Sequence, residues 1–223
     1  MSKLSFWLLL PIATLIYGCS QPTPPASAPA IFPLTEGNTW VYQISEFDST
    51  NTVQWNTFDT VSIGGTITFG SETWHEVIHT MPNTGFTEYY IAKNEGLWQK
   101  TSIPLVYHTN LIYKYPATVN DTFNVTLQTW PASDPTRLYT EVISVNENLV
   151  VPLGSFSCVH YVSHTQSIDS ATMKVITDDP HSDAFVSPGI GMIKSVNRLL
   201  RQTGALTWGH FRDETVLVSY SLH

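Results

Sequence analysis

The sequence is short of the residues that staple a fold, bind phosphate or carry familiar chemistry. It has two cysteines in 223 residues, Cys19 and Cys158, so one disulfide is the most it can form. Lysine and arginine total 10 against 18 aspartates and glutamates, a formal net charge of −8. Phosphate backbones are held by clustered cations, so nucleic acid is excluded as a partner class. The same scarcity leaves no polybasic patch for an anionic membrane. No G-x-S-x-G elbow, phosphate-binding glycine loop or paired cysteines with metal-ligand spacing occur. The 3.6-residue apolar periodicity of long amphipathic helices is also missing.

What is present begins with one apolar run, Leu4 to Ile16, preceded by Lys3. It is too short to span a bilayer comfortably and reads as the hydrophobic part of an export signal. The run ends in Ile16-Tyr17-Gly18-Cys19, which resembles the bacterial lipobox, with an aliphatic residue three places before the cysteine and a small one directly before it. The expected organisation is a signal peptide over residues 1–18, a lipidated Cys19 opening a proline-rich tether over 19–30, and a single β-rich domain over 31–223. Ser20 stands where an Asp-type inner-membrane retention signal would sit, so the outer membrane is the expected destination in an organism that has one. Removal of 1–18 leaves 205 residues, a length one domain can occupy, with 9 basic and 18 acidic side chains. The tether carries Pro22, Pro24, Pro25 and Pro29 among small residues, and at about 3.1 Å per residue it holds the domain up to ~35 Å from the lipid. With Cys19 acylated, Cys158 has no partner in the chain, and its neighbours Phe156 and Val159 predict a buried thiol that packs as a small hydrophobe.

From Ile31 onward the text is that of an all-β, mainly antiparallel protein: short runs of aromatic and β-branched residues punctuated by Gly, Pro, Asn and Asp. Strands are predicted at Thr39–Phe47, at Thr60–Ile63 and Thr66–Phe69 around a Gly64-Gly65 hairpin turn, and at Thr73–Thr80. Others are predicted at Phe86–Ala92 and Leu97–Thr101 around Asn94-Glu95-Gly96, and at Asp121–Leu127, Arg137–Val145, Gly154–His164, Ala171–Thr177, Gly191–Asn197 and Glu214–Ser221. So many closely spaced strands predict a curled sheet, either a half-barrel or a sandwich, with at most short helices.

Three stretches resemble a family of uncharacterised lipoproteins of Bacteroidetes-like and other Gram-negative bacteria. They are Phe32-Pro33-Leu34 followed by Gly37-Asn38-Thr39-Trp40-Val41-Tyr42, then Val151-Pro152-Leu153-Gly154-Ser155-Phe156, and Ser187-Pro188-Gly189-Ile190-Gly191-Met192-Ile193-Lys194. Leu217-Val218-Ser219-Tyr220 also fits. The resemblance implies a domain related in shape to the open barrels of lipoprotein carriers and lipid-binding lipoproteins, and it implies no reaction. Read physically, Gly37-Asn38 is a turn that starts a strand whose Trp40 and Tyr42 share one face, expected to be core. Pro188-Gly189-Ile190-Gly191 is expected to be a structural turn.

The one literal catalytic match is His75-Glu76-Val77-Ile78-His79, the H-E-x-x-H pattern of zinc proteases. That chemistry needs helical pitch, at which residues four apart face one ion. Trp74, Val77 and Ile78 favour a strand, where His75 and His79 lie roughly 13 Å apart. The metzincin extension is missing as well, since Pro82 and Gly85 stand where Gly and His would be. His160 and His164 repeat the spacing and meet the same objection. Asp178-Asp179-Pro180-His181-Ser182-Asp183 has the oxygen content of a calcium loop without its alternation, and is expected to be a solvated acidic turn. The tryptophans of the mature chain, at 40, 55, 74, 98, 130 and 208, fill a core or line a concave site. The leading expectation is a non-enzymatic envelope lipoprotein without a cofactor, attached to the membrane by its lipid. Its β domain binds a lipid or amphipathic small molecule or docks on an envelope protein. The alternatives are a zinc hydrolase on His75, Glu76 and His79, and a purely structural adaptor.

Overall fold

The computed structural model describes residues 30–103, 106–128, 135–169, 171–172, 174–202 and 208–223, with backbone alone at 101–103, 106–108, 125–128, 200–202 and 208–209. Residues 1–29, which include the signal segment and Cys19, lie outside the described residues, as does Trp130.

The described chain forms twelve strands: β1 (Thr39–Phe47), β2 (Val53–Phe69), β3 (Glu72–Met81), β4 (Thr84–Lys93), β5 (Gly96–Ile103), β6 (Val106–Lys114), β7 (Thr122–Gln128), β8 (Thr136–Val151), β9 (Gly154–Ile168), β10 (Val175–Ser187), β11 (Gly191–Gln202) and β12 (Trp208–Ser221). All belong to one antiparallel sheet in the order β6-β5-β4-β3-β2-β1-β12-β11-β10-β9-β8-β7. Every neighbour in that order is also a neighbour in sequence except β1 and β12, so the chain runs outward in two meanders from a central seam. The outer strands curl round until they face each other. Across that gap Asn124 Nδ2 donates to the Leu111 carbonyl, and Tyr161 Oη donates to Lys114 O at 2.7 Å. The result is a nearly closed barrel, and no helix occurs among the described residues.

The all-β expectation therefore holds, with three local corrections. Gly64-Gly65 is not a hairpin turn: β2 runs through it, and the pair forms a bulge where the register against β3 shifts between Ile63 and Thr66. Two adjacent glycines lack the side chains that hold a strand flat, so they kink it as readily as they turn it. Residues 178–183 are not a turn but the middle of β10, paired with β9, with 178–180 solvent-exposed as expected. Two of their carboxylates are paired with β9 histidines, Asp183 with His160 at 2.9 Å and Asp178 with His164 at 3.0 Å. Finally, β6 (Val106–Lys114), where no strand is expected, pairs with β5 along its length.

Strand pairing assigns the inner face. Trp40 and Tyr42 of β1 share a face with Val61 and Asp59 of β2, Val61 with His79 of β3, and Tyr90 of β4 with Gln99 of β5, because directly paired residues point the same way. On the other meander Thr140, Ser163, Ser182, Asn197 and Asp213 follow one another across β8 to β12 on that face. The outer face carries ion pairs such as Lys93 with Glu72 at 2.6 Å, where β3 begins and β4 ends, and Lys194 with Glu214 at 2.9 Å.

One end of the barrel holds the apolar core, beside a space of about 420 Å³ lined by Tyr115, Pro116, Val145, Val159 and Pro188. Trp40, Val77, Leu97, Val142, Ile193 and Leu217 are fully buried there with Phe32, Tyr161 and Phe123. The segment before β1 plugs this end: Phe32 lies on Trp40 with ring centroids 4.5 Å apart, and Gly189 N–H donates to Ala30 O at 2.7 Å. Trp40 Nε1 donates to Ile190 O at 2.7 Å, Asn38 Nδ2 to Pro33 O at 3.0 Å, and His223 N to Asn38 Oδ1 at 2.8 Å. The stretches 32–42 and 187–194 are thus one structural unit, and the expected core role of Trp40 and Tyr42 is observed. Gly191 has a positive φ of 108°, and a Cβ there would stand 2.7 Å from the Phe32 ring, so both backbone and space require glycine. The stretch 151–156 forms the tip of the β8–β9 hairpin, where Pro152 reaches the outer face of β1 and β12 beside Phe47 and Val216.

Candidate binding cavity

The opposite end of the barrel is wetter. Trp55 and Phe86 are inner-face residues there, yet each is nearly half exposed, and the rim adds Val53, Val175 and Ile176 as exposed apolar side chains. Two features lie between this rim and the packed end.

The first is an ion cluster on the inner wall. His79 Nδ1 donates to Asp59 Oδ2 at 2.7 Å, and its Nε2 lies 3.6 Å from Glu88 Oε2. Tyr90 Oη donates to the same Glu88 oxygen at 2.8 Å, and the Phe86 ring stacks on the imidazole at 4.2 Å. Burial opposes the charge on His79, but the two carboxylates outweigh it and raise the imidazole to about 9. Burial likewise pushes Glu88 up, and the hydrogen bonds from His79, Tyr90 and Gln99 overcome that push and hold it below its ordinary value. Desolvation raises the phenols of Tyr42 and Tyr90 well above their usual value and that of Tyr113 to about 12, so all three stay neutral. A void of about 60 Å³ among Tyr42, Val61, Val77, His79, Tyr90 and Tyr113 is the space left below this cluster.

The second feature is a cavity of about 300 Å³ beside the β6–β7 seam, whose walls include Gln99 and Asn110 from β5 and β6, Asn124 from β7, Thr140 and Ser163 from β8 and β9, and His181 from β10. Ile112 and Leu138 supply apolar patches, and the stacked rings of Tyr139 and His164, 4.7 Å apart, complete the lining. Thr140 and Ser163 share a 3.2 Å hydrogen bond, as do Thr165 Oγ1 and His181 Nδ1. Asn124 takes a positive φ of 54° at a β7 bulge, which turns its amide toward the seam.

Of the motifs singled out in the sequence, His79 reaches the ion cluster and His164 and His181 reach the cavity. His75, Glu76 and His79 lie on β3, with Glu76 on the face opposite the two histidines, so the helical pitch a zinc protease needs is absent. Only His79 of the three belongs to the inner ion cluster. No group of three or more metal-ligating side chains occurs among the described residues. His160 and His164 are each bracketed by carboxylates. His160 contacts Glu147 at 2.8 Å and Asp183 at 2.9 Å, and His164 contacts Asp178 at 3.0 Å and Glu141 at 3.7 Å. Cys158 is fully buried, and its thiol is pushed up to about 11, first by burial and then by Glu147, so it packs as a hydrophobe as expected. Sequence reading missed Asp59, Glu88, Gln99, Asn110 and Asn124. The available signal for Asp59 was its place in Asp59-Val61-Ile63, a polar residue on an otherwise apolar alternation.

No protein-family model matches the chain, and no curated protein matches it. Among solved structures it is similar to a candidate lipoprotein from Parabacteroides distasonis, with 15% identity, a TM-score of 0.49 and coverage of 87% of this chain and 99% of that one. A candidate exported protein with a YmcC-like fold from Bacteroides fragilis gives 11% identity, a TM-score of 0.49 and coverage of 87% and 100%. A candidate outer-membrane lipoprotein-sorting domain from Vibrio parahaemolyticus gives 6% identity and a TM-score of 0.25 over 83% of this chain and 85% of that one.

Proposed function

We propose that this chain is a lipid-anchored envelope protein that binds a small amphipathic ligand at the wet end of its barrel and catalyses no reaction. The carrying observation is the 300 Å³ polar cavity behind a rim of exposed apolar residues. A polar ligand head enters such a cavity while its apolar part covers Trp55 and the rim side chains, which removes that surface from water. The lipobox at Ile16–Cys19 and the proline tether support attachment at a membrane, with the outer membrane as the destination favoured by Ser20. Against catalysis stands the state of His79: two carboxylates hold it as an imidazolium, so it is no base near neutral pH.

The test is to extract the full chain from the membranes of its own producing cells in mild detergent and examine it by native mass spectrometry. A stoichiometric co-purifying small molecule, lost on Asn110→Trp substitution to fill the cavity, is expected. A ligand-free protein that also gains no mass in cell lipid extract overturns the reading.

A further inference from the structure

The chemistry of the cavity wall points to one class of ligand head. None of the residues lining the 300 Å³ space is Lys, Arg, Asp or Glu. Gln99, Asn110 and Asn124 each offer amide donors and a carbonyl acceptor, Thr140 and Ser163 each offer a hydroxyl that does both, and His181 has two ring nitrogens. A phosphate or carboxylate head would need a cation or a fan of backbone N–H groups. A wall that both donates and accepts at many closely spaced neutral points matches a ligand that does the same, which is the pattern of adjacent sugar hydroxyls. Ile112 and Leu138 fit the apolar C–H faces that a sugar ring also presents. The volume lies at the small end of ligand pockets, about 300–1,000 Å³, which suits one ring rather than a long oligomer.

Resting on the amphiphile-binding reading above, we infer that the cavity between β5–β6 and β7–β10 is a saccharide site, taking the neutral, hydroxyl-rich head of a glycosylated amphiphile. Asn110 and Ser163 face the ligand from opposite sides of the seam. Closure of the seam by the Asn124 side chain sets the spacing between those two walls.

The experiment compares two amphiphiles with the same tail and different heads, octyl glucoside and octyl phosphocholine, each titrated below its micelle concentration into 15N-labelled full chain and followed by NMR. Octyl glucoside is expected to bind at least tenfold more tightly and to shift the side-chain amide signals of Gln99, Asn110 and Asn124. Asn110→Ala and Ser163→Ala are expected each to weaken octyl glucoside about tenfold and to leave octyl phosphocholine unchanged, and unaltered backbone spectra show that the variants fold. Equal affinity for the two heads, or a sugar preference that survives both substitutions, overturns the saccharide assignment and leaves the amphiphile reading standing. Failure of both compounds to bind overturns both.

Discussion

The two ends of this barrel are built from the same strands and obey different rules. At the packed end the inner face reads Trp40, Val77, Leu97, Val142, Ile193 and Leu217, all fully buried. One or two ladder positions further along, the same face reads Asp59, His79, Gln99, Asn110 and Ser163, while Glu88 stands directly opposite Val77. The first set gains from leaving water, beside a space of about 420 Å³ lined by Tyr115, Val159 and Pro188. The second set keeps its polar groups near solvent or pairs them, and lines a cavity of about 300 Å³. The lesson is that a meander can divide its interior along the strand axis, so that one end stabilises the fold and frees the other for binding.

The comparison breaks most readily at the plug. Gly191→Val forces a Cβ into the Phe32 ring at a backbone angle valine resists, and should destabilise the protein by about 3 kcal/mol or more in urea unfolding. Trp40→Ala removes the largest fully buried side chain and should cost about 3–5 kcal/mol. The ion cluster sits between the two regimes and should show it through pH. His79 is raised from 6.5 to about 9 in the folded state, so its stabilising effect is complete below about pH 6.5 and is lost as pH rises through 9. Urea midpoints should therefore fall between those values by the equivalent of about 2 kcal/mol, and His79→Gln should flatten the profile. Glu88 acts with the opposite sign: held below its ordinary value, it loses its contribution as pH falls through the carboxylate range. A smaller effect is expected at Cys158, where Cys158→Ala should cost about 1 kcal/mol and the native thiol should resist thiol reagents until the protein unfolds. At the rim the effect should be smallest: Trp55→Ala should change stability by no more than about 0.5 kcal/mol and weaken any amphiphile regardless of its head.

The packed end was legible in the sequence and the wet end was not. Trp40 and Tyr42, two residues apart after a Gly-Asn turn, declare an inner face on their own, and β1 has the bounds its text predicts. The strand around His75 and His79 was legible too, since Trp74, Val77 and Ile78 outweigh the protease pattern. The cavity instead draws Asn110, Thr140, Ser163 and His181 from four strands, and polar residues on an inner face weaken the alternation that reveals a strand, which is why β6 went unpredicted. The acidic text of 178–183 misled for a related reason. Its charges read as a turn until the register places His160 opposite Phe185, beside Asp183, and His164 opposite Pro180, beside Asp178.

The division of the barrel is tested most directly by native-state hydrogen exchange, residue by residue, with and without a bound amphiphile. The account predicts that amides of Trp40 to Tyr42 and Gly191 to Lys194 exchange only through global unfolding, whereas those around Asn110 and Asn124 open locally. It further predicts that octyl glucoside slows the second group beyond its effect on global stability. Local opening at the plug, or protection by the amphiphile at Trp40 rather than at Asn110, would contradict it.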